Sequence, residues 1–508
     1  MKPGETFSRV GAGVAVLAGL LLGTGPAAPA LEYQNGDFQG TVGGSAELKM
    51  PVRFEPGTVK EVPSFTGTLK LEASFAEHLT FHCNLEAGYD GAARAPKNER
   101  VLLGFDRVYP STDRYVQVPE AYLTLALASF DLRVGIQKFS WGTLDQFNPT
   151  DNVSPLDLRH LLDVSSTMER KIGVPAVRAT YLFSPIDLNV EAIWLPFLVP
   201  YRLPDPDDRW YPPLLQTPRA VEIPPDVFGV ALPPVSIRQY NDEARLPART
   251  LGHSEFGVRV SRTFGSLDLG ASFFNGYDRM PVVEGQGTAT ASVSLAPPDL
   301  LLSYDLHLLP LLRRVQIYGA DMACSWRSFT FRAEGAYSKG RYFNVGLNAM
   351  ADILSELELP SPSQIAVSRS RTGVDLSFPF SPTIAYQKDF LSVGLGVDYQ
   401  WGNHLITVQT IGNQILDYRG EPLVYEEFEI MVVLGLHSRF LEDTLQVESG
   451  LVLNPMEKLV LSRTEATYAV TDAFSVGASL LLLDGEAQSP LGQFRRNDQC
   501  SLFMKYHF

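Results

Sequence analysis

The sequence predicts an all-β chain: one transmembrane antiparallel up-and-down β-barrel of about 16–18 strands. Three observations predict it. Runs of alternating apolar and polar residues recur in pairs along the chain. The connections between those runs fall into short turns and long loops in strict succession. The chain is 45% hydrophobic with 29 Phe, 20 Tyr and 41 Gly, yet its mean hydropathy is −0.01, because alternation spreads apolar residues thinly. After the first thirty residues the longest apolar runs, such as Leu480–Leu483, are a few residues long. A spanning helix needs about 20.

The clearest strand is Leu79–Tyr89, where Leu79, Phe81, Cys83, Leu85, Ala87 and Tyr89 alternate with Thr80, His82, Asn84, Glu86 and Gly88. Leu69–Phe75 precedes it, joined through Ala76-Glu77-His78. The same unit recurs around Ser129-Phe130, Ser184-Pro185, Gly265-Ser266, Arg327-Ser328, Trp401-Gly402-Asn403, Glu442-Asp443 and Thr471-Asp472. Short turns rich in Gly, Pro, Asp and Ser between alternating runs are hairpin signals. Between hairpins lie the longer segments Asp90–Arg114, Ser140–Gly173, Pro196–His253, Asp278–Leu312, Arg341–Phe390 and Asp484–Arg496. Thr372–Gln387 is open to being a further strand or part of an inserted loop. With Phe38–Met50 first and Asp498–Phe508 last, the count reaches about 18, with 16 as the alternative. An even count returns both ends to one side. Unpaired backbone in lipid is costly, so such a run of hairpins must close on itself. Residues 31–508 therefore read as one barrel domain.

The N-terminus reads as an export signal. Lys2 and Arg9 are its basic part, Val10–Gly23 its short apolar part and Ala28-Pro29-Ala30 its cleavage site, so residues 1–30 are set aside. Cys83, Cys324 and Cys500 are odd in number and far apart, which suits small hydrophobes rather than a disulfide framework or metal site. The net charge of −15 argues against nucleic-acid binding.

Alternation also assigns faces: the apolar set to lipid, the opposite set to the lumen. Lumen candidates include Glu86, Glu120, Arg133, Arg178, Arg259, Asp321, Arg332, Glu334, Asp398, Glu448, Arg463 and Glu465. A barrel of this size is wide enough for an aqueous channel whose charges orient polar solutes. The alternative is that such charges stiffen the wall as ion pairs, and Arg332 with Glu334, two apart on one face, fits that equally.

Two segments depart from the strand pattern. Gly135–Leu158 starts as a strand and then carries Asn148-Pro149, Thr150-Asp151-Asn152 and Ser154-Pro155, turn formers in close succession. Oxygen ligands cluster at Asp145, Asn148 and Asp151, but their spacing matches no metal-loop signature. Pro196–His253 holds ten prolines between Tyr201 and Thr250 and reads as a stiff, extended loop without a core of its own.

Two resemblances sharpen this reading. Ser501-Leu-Phe-Met-Lys-Tyr-His-Phe508 resembles the closing strand of bacterial outer-membrane barrels, which the barrel-assembly machinery reads. Gly135, Gln137, Trp141, Gly142 and Asp145, followed by Asn148, Pro149 and Asp151, form a G-x-Q-x-x-x-W-G-x-x-D and N-P-x-D pattern. It resembles that of a poorly characterised porin-like family of Gram-negative bacteria. These resemblances imply an outer-membrane barrel with short periplasmic turns and long extracellular loops, embedded in outer-membrane lipid. They imply a pore for passive diffusion of small polar solutes, with no cofactor. They also imply that the 140–173 loop folds inward as a constriction. Asp145, Asp151, Asp157, Arg159, His160 and Asp163 would then lie at the constriction, opposed by Lys138, Arg133 and Arg178 on the wall. The alternatives are a compact extracellular loop, and a plugged barrel serving as a surface scaffold or adhesin. An enzyme is the remote alternative, since no G-x-S-x-G, H-E-x-x-H or Walker loop is present. Whether copies associate as a homo-oligomer is left open.

Overall fold

A computed structural model describes residues 31–55, 58–61, 63–75, 78–91, 114–145, 147–159, 170–202, 204, 209–212, 219–222, 233–242, 244–295, 298–347, 353–354, 361–370 and 373–508. The expected export signal, His160 and Asp163 lie outside them.

The barrel is a closed antiparallel ladder of 18 strands. In chain order they are β1 (Phe38–Glu55), β2 (Ser64–Phe75), β3 (Leu79–Asp90), β4 (Arg114–Leu127), β5 (Phe130–Gln137), β6 (Val174–Phe183), β7 (Leu188–Leu195), β8 (Glu255–Phe264) and β9 (Leu267–Tyr277). They continue as β10 (Arg314–Trp326), β11 (Phe329–Asn344), β12 (Ala385–Trp401), β13 (His404–Ile415), β14 (Phe428–Phe440), β15 (Leu445–Asn454), β16 (Leu459–Ala469), β17 (Phe474–Asp484) and β18 (Gln499–His507). Each pairs with the next in sequence, and β18 returns to β1 from Ser45↔His507 to Arg53↔Gln499. The Phe508 amide donates to the Gly44 carbonyl at 3.0 Å, and the Gly44 amide donates back at 2.7 Å. Closure removes the exposed sheet edges that an open sheet of this length would carry. Two short strands, Leu31–Asn35 and Thr58–Glu61, extend the rims along β1.

The solvent-accessibility pattern is that of a soluble protein turned inside out. Leu123, Leu125, Val134, Val258, Phe331, Leu395, Val408, Leu434, Leu482 and Leu502 are exposed on the outer surface. Glu191, Glu255, Asp321, Glu334, Asp398 and Gln409 are buried inside. An apolar belt around a charged interior suits a hydrocarbon surround. Among the described residues no helix is long and apolar enough to cross a membrane.

Eight connections on one rim are two to four residues long, and both barrel ends lie on that rim. The other rim carries the long connections, with one exception at residues 455–458. Several of these are not plain loops. Val282–Leu295 and Pro298–Leu311 form a long hairpin where the sequence reads as a loop. Gly373–Phe380, in the segment left open by the sequence, adds to Val282–Leu295 and not to the barrel. Val235–Asn241, from the proline-rich segment, runs parallel to Pro298–Leu311. Ala220–Val221 and Ala366–Arg369 complete a separate six-stranded sheet. Its apolar face packs Val221, Val235, Ile237, Tyr304 and Leu306 against Val345, Leu347, Leu354 and Ile384. The proline-rich segment is therefore not a stiff, extended loop throughout: Val235 and Ile237, two apart on one strand, bury in a core shared with a hairpin supplied from elsewhere in the chain.

Candidate functional site

The segment from Lys138 to Pro155, which leaves β5, meets wall strands of the barrel ladder from β4 to β13. The strands supply the sites by alternation, since the residues that face away from the outer belt point at the segment. Gly142 has φ +92, a conformation that only glycine adopts freely, and it lies in the first third of the segment. Trp141 donates its indole N–H to Glu191 on β7 at 2.7 Å. Its ring lies over Gly257 on β8, where an added Cβ would come within 2.6 Å. Thr150 crowds Gly319 on β10, and Leu144 crowds Gly394 on β12. Wall glycines thus leave the room that segment side chains fill.

Glu334 on β11 anchors the segment. One carboxylate oxygen accepts from the amides of Thr143 at 2.9 Å and Leu144 at 3.2 Å. The other accepts from the Thr150 amide at 2.7 Å and the Thr150 hydroxyl at 2.6 Å. Arg332, two residues earlier, donates to the Thr143 carbonyl at 2.7 Å and to Asp145 at 2.9 Å, and also to Asp398 on β12. Gln409 on β13 donates to the other oxygen of Asp145 at 3.0 Å. Arg332 and Glu334 are therefore not paired with each other, contrary to one sequence expectation. The arginine takes the acids, and the glutamate takes the backbone.

Asp151 pairs with Lys171, whose ammonium also donates to the Phe139 carbonyl at 2.7 Å. Burial pushes the Asp151 carboxyl up from its ordinary range, against the pull of Lys171. Asp157 is held by Arg159 at 2.7 Å and by Arg202 at 3.1 Å. Behind them Arg279 bonds Glu255 at 2.9 Å and the Val153 carbonyl at 2.9 Å. An apolar cluster of Phe139, Trp141, Val153, Val174, Ile193, Phe274 and Ile317 cements this side.

The sequence-based candidates divide accordingly. Asp145, Arg332 and Glu334 meet at one place. Asp151 belongs to the segment and faces Lys171, while Asp157 and Arg159 follow it and pair with each other, with Arg202 also on Asp157; Lys171 and Arg202 were missed by the sequence reading. Arg178 pairs with Glu191 rather than with an acid of the segment. Arg133 donates to Thr124 at 3.2 Å and lies 4.3 Å over the Tyr122 ring. The Lys138 amide bonds Glu120 at 3.3 Å. Arg259 is locked to Asp321 through two bonds of 2.5 and 2.8 Å. Asp145, Asn148 and Asp151 serve three different partners, Arg332, Thr150 and Lys171, so they do not converge on a common point. Lys171 and Gln409 carried little signal in the sequence. One lies outside any strand, and the other is an uncharged residue in an ordinary alternating strand.

Beside the segment is a cavity of about 280 Å³. Asp145 and Arg170 line one side, and Thr407, Gln409, His437, Glu448 and Arg463 line the strands across from it. His437 bonds Glu448 at 3.1 Å, and Arg463 bonds Glu465 at 2.6 Å.

A family model described as "Protein of unknown function (DUF1302)" matches residues 107–421, more than half of the chain. The chain belongs to the DUF1302 family. The matched region runs from before β4 to past β13, so it spans the anchored segment and the wall strands that hold it. No curated protein matches the sequence. Among solved structures, the chain is similar to OccAB1 of Acinetobacter baumannii, with a TM-score of 0.49 and 8% identity over 95% of this chain and 99% of that one. OccAB4 of the same organism gives 0.47 and 10% over 94% and 99%. OmpF of Salmonella typhi, in a complex with daunomycin, gives 0.40 and 10% over 94% and 100%.

Proposed function

We propose that this DUF1302 protein is an outer-membrane pore that passes small polar solutes by passive diffusion, with the Lys138–Pro155 segment as its constriction. The observation that carries the reading is the segment itself. It is fixed by Glu334 and Arg332 within a charged interior, and the 280 Å³ cavity lies beside it. A closed barrel of 18 strands is wide enough to keep an aqueous bore after one segment has been placed inside. Side-chain pairs along the cavity present both signs of charge, a field that orients dipolar solutes without trapping one ion. The apolar outer belt supports a membrane location, and the C-terminal aromatic strand supports delivery by the barrel-assembly machinery.

The test is single-channel current through the folded chain in a planar bilayer, with a reversal potential under a salt gradient. Discrete steps of stable size are expected. A silent membrane with inserted protein would overturn the pore. It would favour a second reading in which the six-stranded sheet on the long-loop rim is the working part of a plugged surface scaffold.

A further inference from the structure

The cavity beside the constriction is not lined by polar groups alone. Val433, Val452, Leu461 and Leu481 also line it, from β14, β15, β16 and β17. Pairing in the ladder puts Gln409 opposite Val433, Val433 opposite Val452 and Val452 opposite Leu461. These residues share the face of Gln409, which reaches Asp145 on the segment. Inward-facing Val and Leu in one row break the rule that the bore of such a barrel is polar.

Gln409 adds a second observation. Its amide nitrogen is committed to Asp145 at 3.0 Å. That bond fixes which end of the amide is oxygen, since a carboxylate accepts only. The side-chain oxygen is buried and has no hydrogen-bond partner. The residue is 1% exposed and lines the cavity. A buried acceptor without a donor is costly, and it becomes favourable when a ligand supplies one.

Asp145 shares Arg332 with Asp398, Arg463 pairs with Glu465, and His437 faces Glu448, while Arg170 also lines the cavity. An apolar wall and one unfilled acceptor define a complementary molecule.

Resting on the pore reading, we propose that the cavity is a solute subsite for small amphiphiles that carry a hydrogen-bond donor. Such a molecule lays an apolar face on Val433, Val452 and Leu461 and donates a hydroxyl or amide hydrogen to the Gln409 oxygen. At 280 Å³ the cavity holds the liquid volume of roughly nine waters, enough for one ring-sized group.

The test uses the full folded chain in a planar bilayer and compares glucose with phenyl β-D-glucoside, which adds one aromatic face to the same hydroxyls. Current interruptions are expected to last roughly ten-fold longer with the phenyl glucoside, from burial of the ring. Leu461→Asn or Val452→Asn should bring the ratio of the two dwell times towards one, and Gln409→Leu should shorten both. The ratio cancels any change in conductance that a variant brings. A variant that fails to insert is replaced by Leu461→Thr. Equal dwell times in an open wild-type channel, or a ratio unmoved by the Leu461 change, overturn the subsite and leave the pore standing. An inserted but silent wild-type protein overturns the pore reading, and the subsite with it.

Discussion

Thr150 gives Glu334 both its amide, at 2.7 Å, and its hydroxyl, at 2.6 Å, on the same carboxylate oxygen. The two residues are 184 positions apart, on a segment and on a wall strand. Hydrogen bonds to a charged acceptor are each worth about 1.5–3 kcal/mol, and more is lost when several donors are orphaned together. Glu334→Ala is expected to free the Thr143–Thr150 part of the segment and to cost about 3 kcal/mol or more in urea unfolding. Single-channel records should show larger, noisier steps. Quiet steps of wild-type size would show that the segment is held by other means.

Arg332 bridges Asp145 and Asp398. Arg332→Ala leaves two acids facing the passage without a cation. The reversal potential is expected to move towards cation preference, and adding Asp145→Asn should move it back. The shift should shrink at high salt, where charges in a hydrated bore are screened. An unchanged reversal potential would remove Arg332 from the conducting path.

Gly257 is the floor beneath the Trp141 ring. Gly257→Val is expected to push that ring out and strain its bond to Glu191. Overpacking of this kind costs about 1–3 kcal/mol. The tryptophan emission of the folded protein should shift to the red, and a Trp141→Phe background should abolish the shift. Emission identical to wild type would refute the packing.

Acid should act first on the connection between β13 and β14. There Lys388 and the Arg419 amide hold the Glu421 carboxyl down to about 2. A carboxyl depressed in the folded state stabilises it above the ordinary value of 4.5 and loses that contribution as pH falls towards 2. Protection of the Leu423 and Val424 amides against hydrogen exchange, taken relative to the intrinsic rate at each pH, should therefore fall between about pH 4.5 and about pH 2. Glu421→Gln should start with low protection that changes little in that window.

Much of the barrel was legible because its signals are local. The alternation of Leu79–Tyr89 and the turn at Gly265-Ser266 each state a hairpin within a dozen residues. The strand count and the sorting of the connections follow from repeating that reading. The six-stranded sheet was not legible. Val235–Asn241 pairs in parallel with Pro298–Leu311 across some sixty residues, and nothing near either strand announces the other. The anchored segment lies between these cases. Gly142 and the Asx and Pro turns mark it as folded, and the acids mark it as polar. The partners of Asp145 lie on strands 187 and 264 positions later, and that of Asp151 is Lys171, outside any strand. Arg332 was singled out, but its link to Asp145 rather than to Glu334 is a fact of the tertiary fold alone.

The Lys138–Pro155 segment also constrains the order in which the molecule can be made. Its bonds to Glu334 and Gln409 join residues 184 and 264 positions apart, while the seam between β1 and β18 zips the cylinder shut around it. A chain that sealed this seam with the segment outside would have to thread it back into a closed cylinder. Docking of the segment on strands β10 to β13 therefore belongs to a stage when the sheet is still an open trough.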